Sequence, residues 1–239
     1  MKHLLDVHTH TLASGHAYST MNEMIAAAQK NGLELLGITE HGIAMPGTCM
    51  EYYFMNSRII DRHAYPVELM IGTELNIMDE DGNVDMGPEI LHLMDLCIAS
   101  MHIPCYKPGT REANTRSYIK AMKNPYINII GHPDDARYPI DYKELAYAAK
   151  ENHVLLELNN SSLSPKSSRK GAADNYRTLL TYCKEYETPV IINSDAHIDY
   201  LVGSHEEMHQ LLAEENFPEY LIINQSIAEF KKYLGTSLL

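Results

Sequence analysis

Leu4-Leu5-Asp6-Val7-His8-Thr9-His10 opens the chain with an apolar run that ends in two histidines one residue apart. Side chains repeat every two residues along a strand, so imidazoles in this spacing face the same way and one metal ion can take both. The theme returns near the other end, where Pro189-Val190-Ile191-Ile192-Asn193 runs into Ser194-Asp195-Ala196-His197. Between these ends His41, Glu74, His102 and His132 each follow an aliphatic or β-branched run of their own. His16 sits in the loop after the first run, where spacing alone does not single it out.

Working outward, seven runs predict strands: Leu4–His8, Leu35–Thr39, Val67–Gly72, Leu96–Ser100, Ile127–Gly131, Val154–Asn159 and Pro189–Asn193. Helical patterns fall between them at Asn22–Lys30, Glu51–His63, Glu89–Met94, Arg116–Lys123, Tyr142–Asn152 and Asp174–Tyr186, with Glu206–Glu214 and Ile227–Tyr233 after the last strand. This alternation predicts an α/β fold, a parallel sheet with helices outside, closed into a barrel or nearly so. Every strand-end histidine and acid then lies on the C-terminal face, where loops from different strands converge and catalytic groups collect. The sixth strand ends instead in Asn159-Asn160-Ser161-Ser162, a neutral set of donors and acceptors suited to holding a substrate. Turn residues Asp79-Glu80-Asp81-Gly82-Asn83 predict a small hairpin after the third strand.

A chain of 239 residues with 45% hydrophobic content can bury one large core, so residues 1–239 are read as a single domain. No secretory signal and no apolar run of membrane-spanning length stands out, which predicts a cytoplasmic protein without a membrane partner. Cys49, Cys97, Cys105 and Cys183 are scattered without a CxxC pair, the pattern of reduced thiols rather than a disulfide framework or thiolate metal site. The formal net charge of -13 disfavours a long nucleic acid as partner but not a small phosphorylated substrate drawn to a cationic metal cluster. A homo-oligomer stays open.

One histidine after one strand is ordinarily a cap or a core residue; seven histidines and two acids at matched strand ends are a different matter. His3, His63, His92, His153, His205 and His209 lie outside that pattern and read as surface or packing residues. Asp6 and Glu40 could accept the second N–H of ligand imidazoles, or be strand-end and capping acids. Arg169, Lys170 and Arg116 are the candidate phosphate clamps, against the plainer reading of solvated basic residues.

The ordered set His8-Thr9-His10, His16, Thr39-Glu40-His41-Gly42, Gly72-Thr73-Glu74, Ser100-Met101-His102, Gly131-His132-Pro133 and Ser194-Asp195-Ala196-His197 resembles the polymerase and histidinol phosphatase (PHP) superfamily nearly end to end. His16-Ala17-Tyr18-Ser19-Thr20, Asn159-Asn160-Ser161-Ser162 and Ser168-Arg169-Lys170-Gly171 resemble more narrowly its small stand-alone bacterial phosphatases of the YcdX type. Glu40 departs from the Asp common before this histidine. The resemblance implies a distorted (β/α)7 TIM-like barrel with three divalent ions, zinc first, manganese or iron as alternatives. It implies that His8, His10, Glu74 and Asp195 hold one ion, that Glu74 bridges to a second held by His102 and His132, and that His16, His41 and His197 hold the third.

Water bridging two dications deprotonates near neutral pH and becomes the nucleophile, so no catalytic side chain is required to attack. The expected activity is hydrolysis of small phosphomonoesters. A nuclease or phosphodiesterase is the first alternative. An amidohydrolase-like C–N hydrolase is the second, weakened because no lysine stands at a strand end to bridge two metals as a carbamate.

Overall fold

The short aliphatic runs pair side by side in the computed structural model, which describes residues 3–234. Seven parallel strands result: β1 (Leu5–Asp6), β2 (Leu35–His41), β3 (Glu68–Asn76), β4 (Cys97–Ser100), β5 (Ile129–Ile130), β6 (Leu155–Asn159) and β7 (Val190–Asn193). Each pairs with the next in sequence order, the topology of a distorted, nearly closed (β/α)7 barrel. The helices are α1 (Met21–Lys30), α2 (Glu51–Asn56), α3 (Pro88–Leu91), α4 (Arg111–Ala121), α5 (Tyr142–Glu151), α6 (Ala172–Tyr186), α7 (Glu206–Glu214) and α8 (Ile227–Lys231). Among the described residues no helix is long and apolar enough to cross a membrane.

Strand parity sorts the interior into two layers. Leu35, Met70, Leu96, Ile98, Ile129, Leu155 and Ile191 pack together with Phe230 of α8 as one buried cluster. Two, four or six residues further along the same strands the same parity brings His41, Glu74, Asn76, Glu157, Asn159 and Asn193, all buried. The apolar layer thus seats the polar one. β2 and β3 run past their predicted ends, and their register carries on to the pair His41↔Glu74. The two strands deliver an imidazole and a carboxylate side by side.

β1 is shorter than predicted. Leu5 and Val7 both belong to the apolar cluster, so an unbroken strand would turn His8 away from it. The ladder with β2 instead stops at Asp6, and beyond it Thr9 makes a single parallel bridge to Ala196, past the end of β7, which lets His8 and His10 both reach the polar layer. No β1–β7 ladder closes the barrel among the described residues; side-chain amides bridge the seam. Asn193 Oδ1 accepts from Val7 N at 3.0 Å. Asn224 Oδ1 accepts from Ile192 N at 2.8 Å, and its Nδ2 donates to Ile192 O at 2.6 Å and Leu5 O at 3.1 Å. A buried backbone group left unpaired costs about 1–3 kcal/mol, which these amides avoid.

Two helical expectations shift. α4 begins at Arg111, ahead of the predicted Arg116, because Thr110 caps it by accepting from Ala113 N at 3.2 Å, while its polar first turn hides the period. The predicted helix Glu51–His63 stops at Asn56 and continues as two 3-10 turns, the second capped by Asp61. The predicted hairpin is a single antiparallel bridge, Ile77↔Val84, around a turn in which Asp79 accepts from Asp81 N and Asn83 N.

His3 and His205, read as packing residues, form a latch between the start of the chain and α7, with Nδ1 atoms 2.8 Å apart. Burial, together with the neighbouring His209 ring, lowers both from 6.5 to about 3. A ring whose folded value is depressed contributes stability that is fully present above its unfolded value and lost as pH falls toward the folded one. Folding stability should therefore decline between about pH 6.5 and 3, and His205→Gln should decline less steeply across that interval in urea titrations. Parallel pH profiles for the two proteins would remove the latch as the cause.

Candidate metal centre

Glu74, delivered by β3, is the hub. Its Oε1 lies 2.7 Å from His132 Nε2 and 3.2 Å from His102 Nε2. Its Oε2 lies 2.7 Å from His41 Nδ1, 3.4 Å from His8 Nε2 and 3.5 Å from His10 Nε2. Asp195 Oδ1 completes the side toward β1, 3.3 Å from His10 Nε2 and 3.6 Å from His8 Nε2. His16 Nε2 stands 3.2 Å from His41 Nε2, and the His197 ring centre is 4.4 Å from that of His10 and 4.9 Å from that of His16. The structure therefore brings together the eight side chains named from the strand ends and His16 from the loop after the first.

These donors fit divalent cations. Glu74 Oε2 and His41 Nδ1 are buried without a hydrogen-bond partner, although they lie side by side. Orphaned buried groups of this kind cost about 1–3 kcal/mol each, and more when charged. Cations accepting their lone pairs would remove that cost. The tightest donor groups overlap, among them His8-His10-Glu74, His41-Glu74-His102 and His10-His41-His197, so the cluster is continuous. Imidazole and carboxylate without thiolate is a donor set for zinc, manganese or iron. Two of its members, His132 and Asp195, sit on left-handed backbone at φ 47 and φ 53, a strain of about 1–3 kcal/mol each of the kind that clusters at functional sites.

Charges and tautomers are fixed from behind. Burial pushes the Glu74 carboxyl up, but the His102, His8 and His41 rings outweigh it and hold it well below the usual carboxylate range. Asp195 is likewise held well below, burial being overcome by His8, His10 and Arg169. His8 Nδ1 donates to Glu157 Oε1 at 2.6 Å and His197 Nδ1 to the Asp195 carbonyl at 2.9 Å. Both acceptors take a proton only from Nδ1, which leaves each Nε2 lone pair facing the cluster. His10 Nδ1 donates to Ser14 Oγ at 3.0 Å, and Ser14 Oγ donates on to Glu40 Oε2 at 2.6 Å.

Several expected roles move. Asp6 reaches no imidazole: it accepts from Ser194 N at 3.1 Å, Ser194 Oγ at 2.5 Å and Gly203 N at 2.8 Å, and so anchors the loop that carries Asp195. Glu40 touches His10 only through Ser14. Asn160 turns away to α7, donating to Glu207 Oε2 at 2.7 Å and accepting from Met208 N at 2.9 Å. Arg116 pairs with Glu80 of the hairpin turn on the outer surface, and Lys170 is exposed outside the pocket, its backbone held by Asp135. Asn159 donates to Asp195 Oδ2 at 3.0 Å and Glu157 Oε2 at 3.2 Å, positioning acids rather than lining the pocket. Arg169 does line it, with Nη2 on Asp195 Oδ2 at 3.0 Å and Nη1 on Ser162 Oγ at 3.1 Å.

A pocket of about 400 Å³ opens over the cluster, and Arg137 and Lys166 line it where Arg116 and Lys170 were expected. Neither carried a periodic signal. Glu157 did: it is an acid inside the apolar run of β6, at the parity of Asn159.

Residues 6–234 match the PHP domain family. A probable phosphatase of Clostridium novyi is 42% identical over 234 residues, covering 98% of this chain and 95% of its own. A probable phosphatase of Caldanaerobacter subterraneus subsp. tengcongensis is 44% identical over 232 residues, covering 97% of this chain and 91% of its own. The crystal structure of histidinol phosphate phosphatase from Lactococcus lactis, complexed with zinc, L-histidinol and phosphate, superposes with a TM-score of 0.60 at 19% identity over 90% of this chain and 94% of that one. That last likeness is one of fold.

Proposed function

The chain belongs to the PHP domain family, and from that premise we propose that it is a divalent-metal-dependent phosphatase that hydrolyses small phosphomonoesters. The observation that carries the reading is the cluster of seven imidazoles and two carboxylates, with His8, His10, His41, His132, Glu74 and Asp195 buried and His16 at its exposed rim, and with the Arg169 guanidinium in the same pocket wall. His8, His10, Glu74 and Asp195 would hold one ion, Glu74, His102 and His132 a second, and His16, His41 and His197 a third, with zinc, manganese or iron as occupants. Divalent ions in such a site supply Lewis acidity that activates water and neutralises charge on phosphoryl oxygens.

The chain's own groups do the rest. Glu157 and the Ser14–Glu40 relay keep the Nε2 lone pairs of His8 and His10 turned inward. Arg169 holds Asp195 in place and offers its fork to phosphoryl oxygens at the pocket wall. The pocket volume suits a small ester, and Met45, Met101, Ile103 and Tyr138 give it an apolar rim for the leaving group.

The net charge of -13 works against a long strand, whose further phosphates must lie on an acidic surface within a Debye length of about 8 Å. Purified enzyme should hydrolyse p-nitrophenyl phosphate and small sugar or nucleotide monophosphates, with negligible cleavage of single-stranded DNA at matched concentration. A higher kcat/KM on polymeric DNA than on every monoester of a broad panel would replace this reading with the nuclease one.

A further inference from the structure

The hairpin after β3 has a use beyond its turn: it returns the chain so that Asp85 comes back beside Asn76, the last residue of that strand. Asp85 Oδ1 accepts from Asn76 N at 2.9 Å, and Oδ2 accepts from Asn76 Nδ2 at 2.6 Å and Ala44 N at 2.8 Å. The recess is fitted to the carboxylate, since a Cβ on Gly42 would lie 2.5 Å from both of its oxygens. Asn76 is fully buried, and its Oδ1 lies 2.7 Å from His102 Nδ1.

An amide can present its oxygen or its nitrogen to a neighbour, and the choice here is forced. A carboxylate only accepts, as does the Gly42 carbonyl that Asn76 Nδ2 also meets at the longer distance of 3.3 Å, so Nδ2 must face Asp85 and Oδ1 must face His102. Oδ1 in turn accepts only, so His102 carries its proton on Nδ1 and turns the Nε2 lone pair toward Glu74. We propose that Asp85 is a positioning residue that, through the orientation of the Asn76 amide, sets the tautomer of His102 and thereby its competence as a metal ligand. The proposal rests on the reading that Glu74, His102 and His132 share an ion.

The test exchanges the two partners. In Asp85→Asn, an amide whose oxygen keeps the bond from Asn76 N turns its NH2 toward the Asn76 side chain; Asn76 Oδ1 then rotates to accept it, giving up the longer bond from Nδ2 to the Gly42 carbonyl, so that Nδ2 meets His102 and moves the ring proton to Nε2. In the double variant Asn76→Asp/Asp85→Asn, the carboxylate at 76 accepts from both the amide at 85 and His102 Nδ1, so the tautomer returns while Ala44 N stays unpaired. Zinc affinity, read by chelator competition, should fall about 10- to 100-fold in the single variant and recover in the double. Thermal stability should stay lowered in both, which separates tautomer control from a merely structural role. In the zinc-loaded wild type, 15N-histidine spectra should place the His102 proton on Nδ1, a readout that needs no variant to fold. Unchanged affinity in Asp85→Asn, affinity that tracks thermal stability in the double variant, or a proton on Nε2 overturns the proposal alone. A wild-type protein that takes up no zinc overturns the metal reading and this one together.

Discussion

Stripping divalent ions from the protein should abolish phosphomonoester hydrolysis, and adding back zinc, manganese or iron should restore it. The reason is the arrangement around Glu74: one carboxylate faces five rings, and two of the atoms involved are buried without hydrogen-bond partners. Left to themselves these groups bind no phosphate, because the carboxylates repel it. The expected fall in kcat exceeds the roughly 10²- to 10³-fold that loss of a single charge-stabilising donor produces in other enzymes. Stability should fall with it, since ions that bind only the folded state add RT ln(1 + [L]/Kd) to unfolding. Elemental analysis alongside activity and Tm decides the matter. Full activity in a preparation shown to be metal-free would sink the reading.

Eight of the nine cluster residues were legible because each stands at the end of an apolar run, and the parallel alternation sends every such end to one face; His16, in the loop after the first run, was legible only through the resemblance. What supports them was harder to read. Glu157 was visible in principle as an acid inside an apolar strand, but Ser14 and Asn76 are ordinary polar residues whose roles depend on contacts 26 residues away: Ser14 on Glu40, and Asn76 on His102. The basic residues were misplaced for a related reason. Arg116 and Lys170 look like Arg137 and Lys166 in sequence; which of them reaches the pocket is set by loop paths after β5 and β6 that carry no period. Asn160 was read with its neighbour as one cluster, yet the 3-10 turn that starts there points consecutive side chains apart, one at Asp195 and the other at α7. The departure of β1 from its ladder escaped the period-two argument, which holds between His8 and His10 but not between them and Val7.

Glu74→Gln should be the most damaging single substitution in the chain. It preserves size and removes one charge, yet no orientation of the amide keeps both ligand atoms of the carboxylate. With the amide oxygen toward His132 and His102, the NH2 group confronts His41, His8 and His10; flipped, it confronts the other two. Either way an N–H donates to ring lone pairs that would otherwise converge on an ion, and an amide nitrogen cannot bridge two cations as a carboxylate can. The lost charge also withdraws from His8 one of the three acids, after Glu157 and ahead of Asp195, that overcome burial and raise its basicity. The variant should lose at least one ion and lower kcat by more than about 10³-fold, roughly 4 kcal/mol of transition-state stabilisation. Circular dichroism should show the barrel intact, because the apolar layer beneath Glu74, from Leu35 to Ile191, is untouched. A folded Glu74→Gln protein with a full complement of metal and kcat within tenfold of wild type would show that the carboxylate bridges nothing, and the assignment of the hub would have to pass to Asp195.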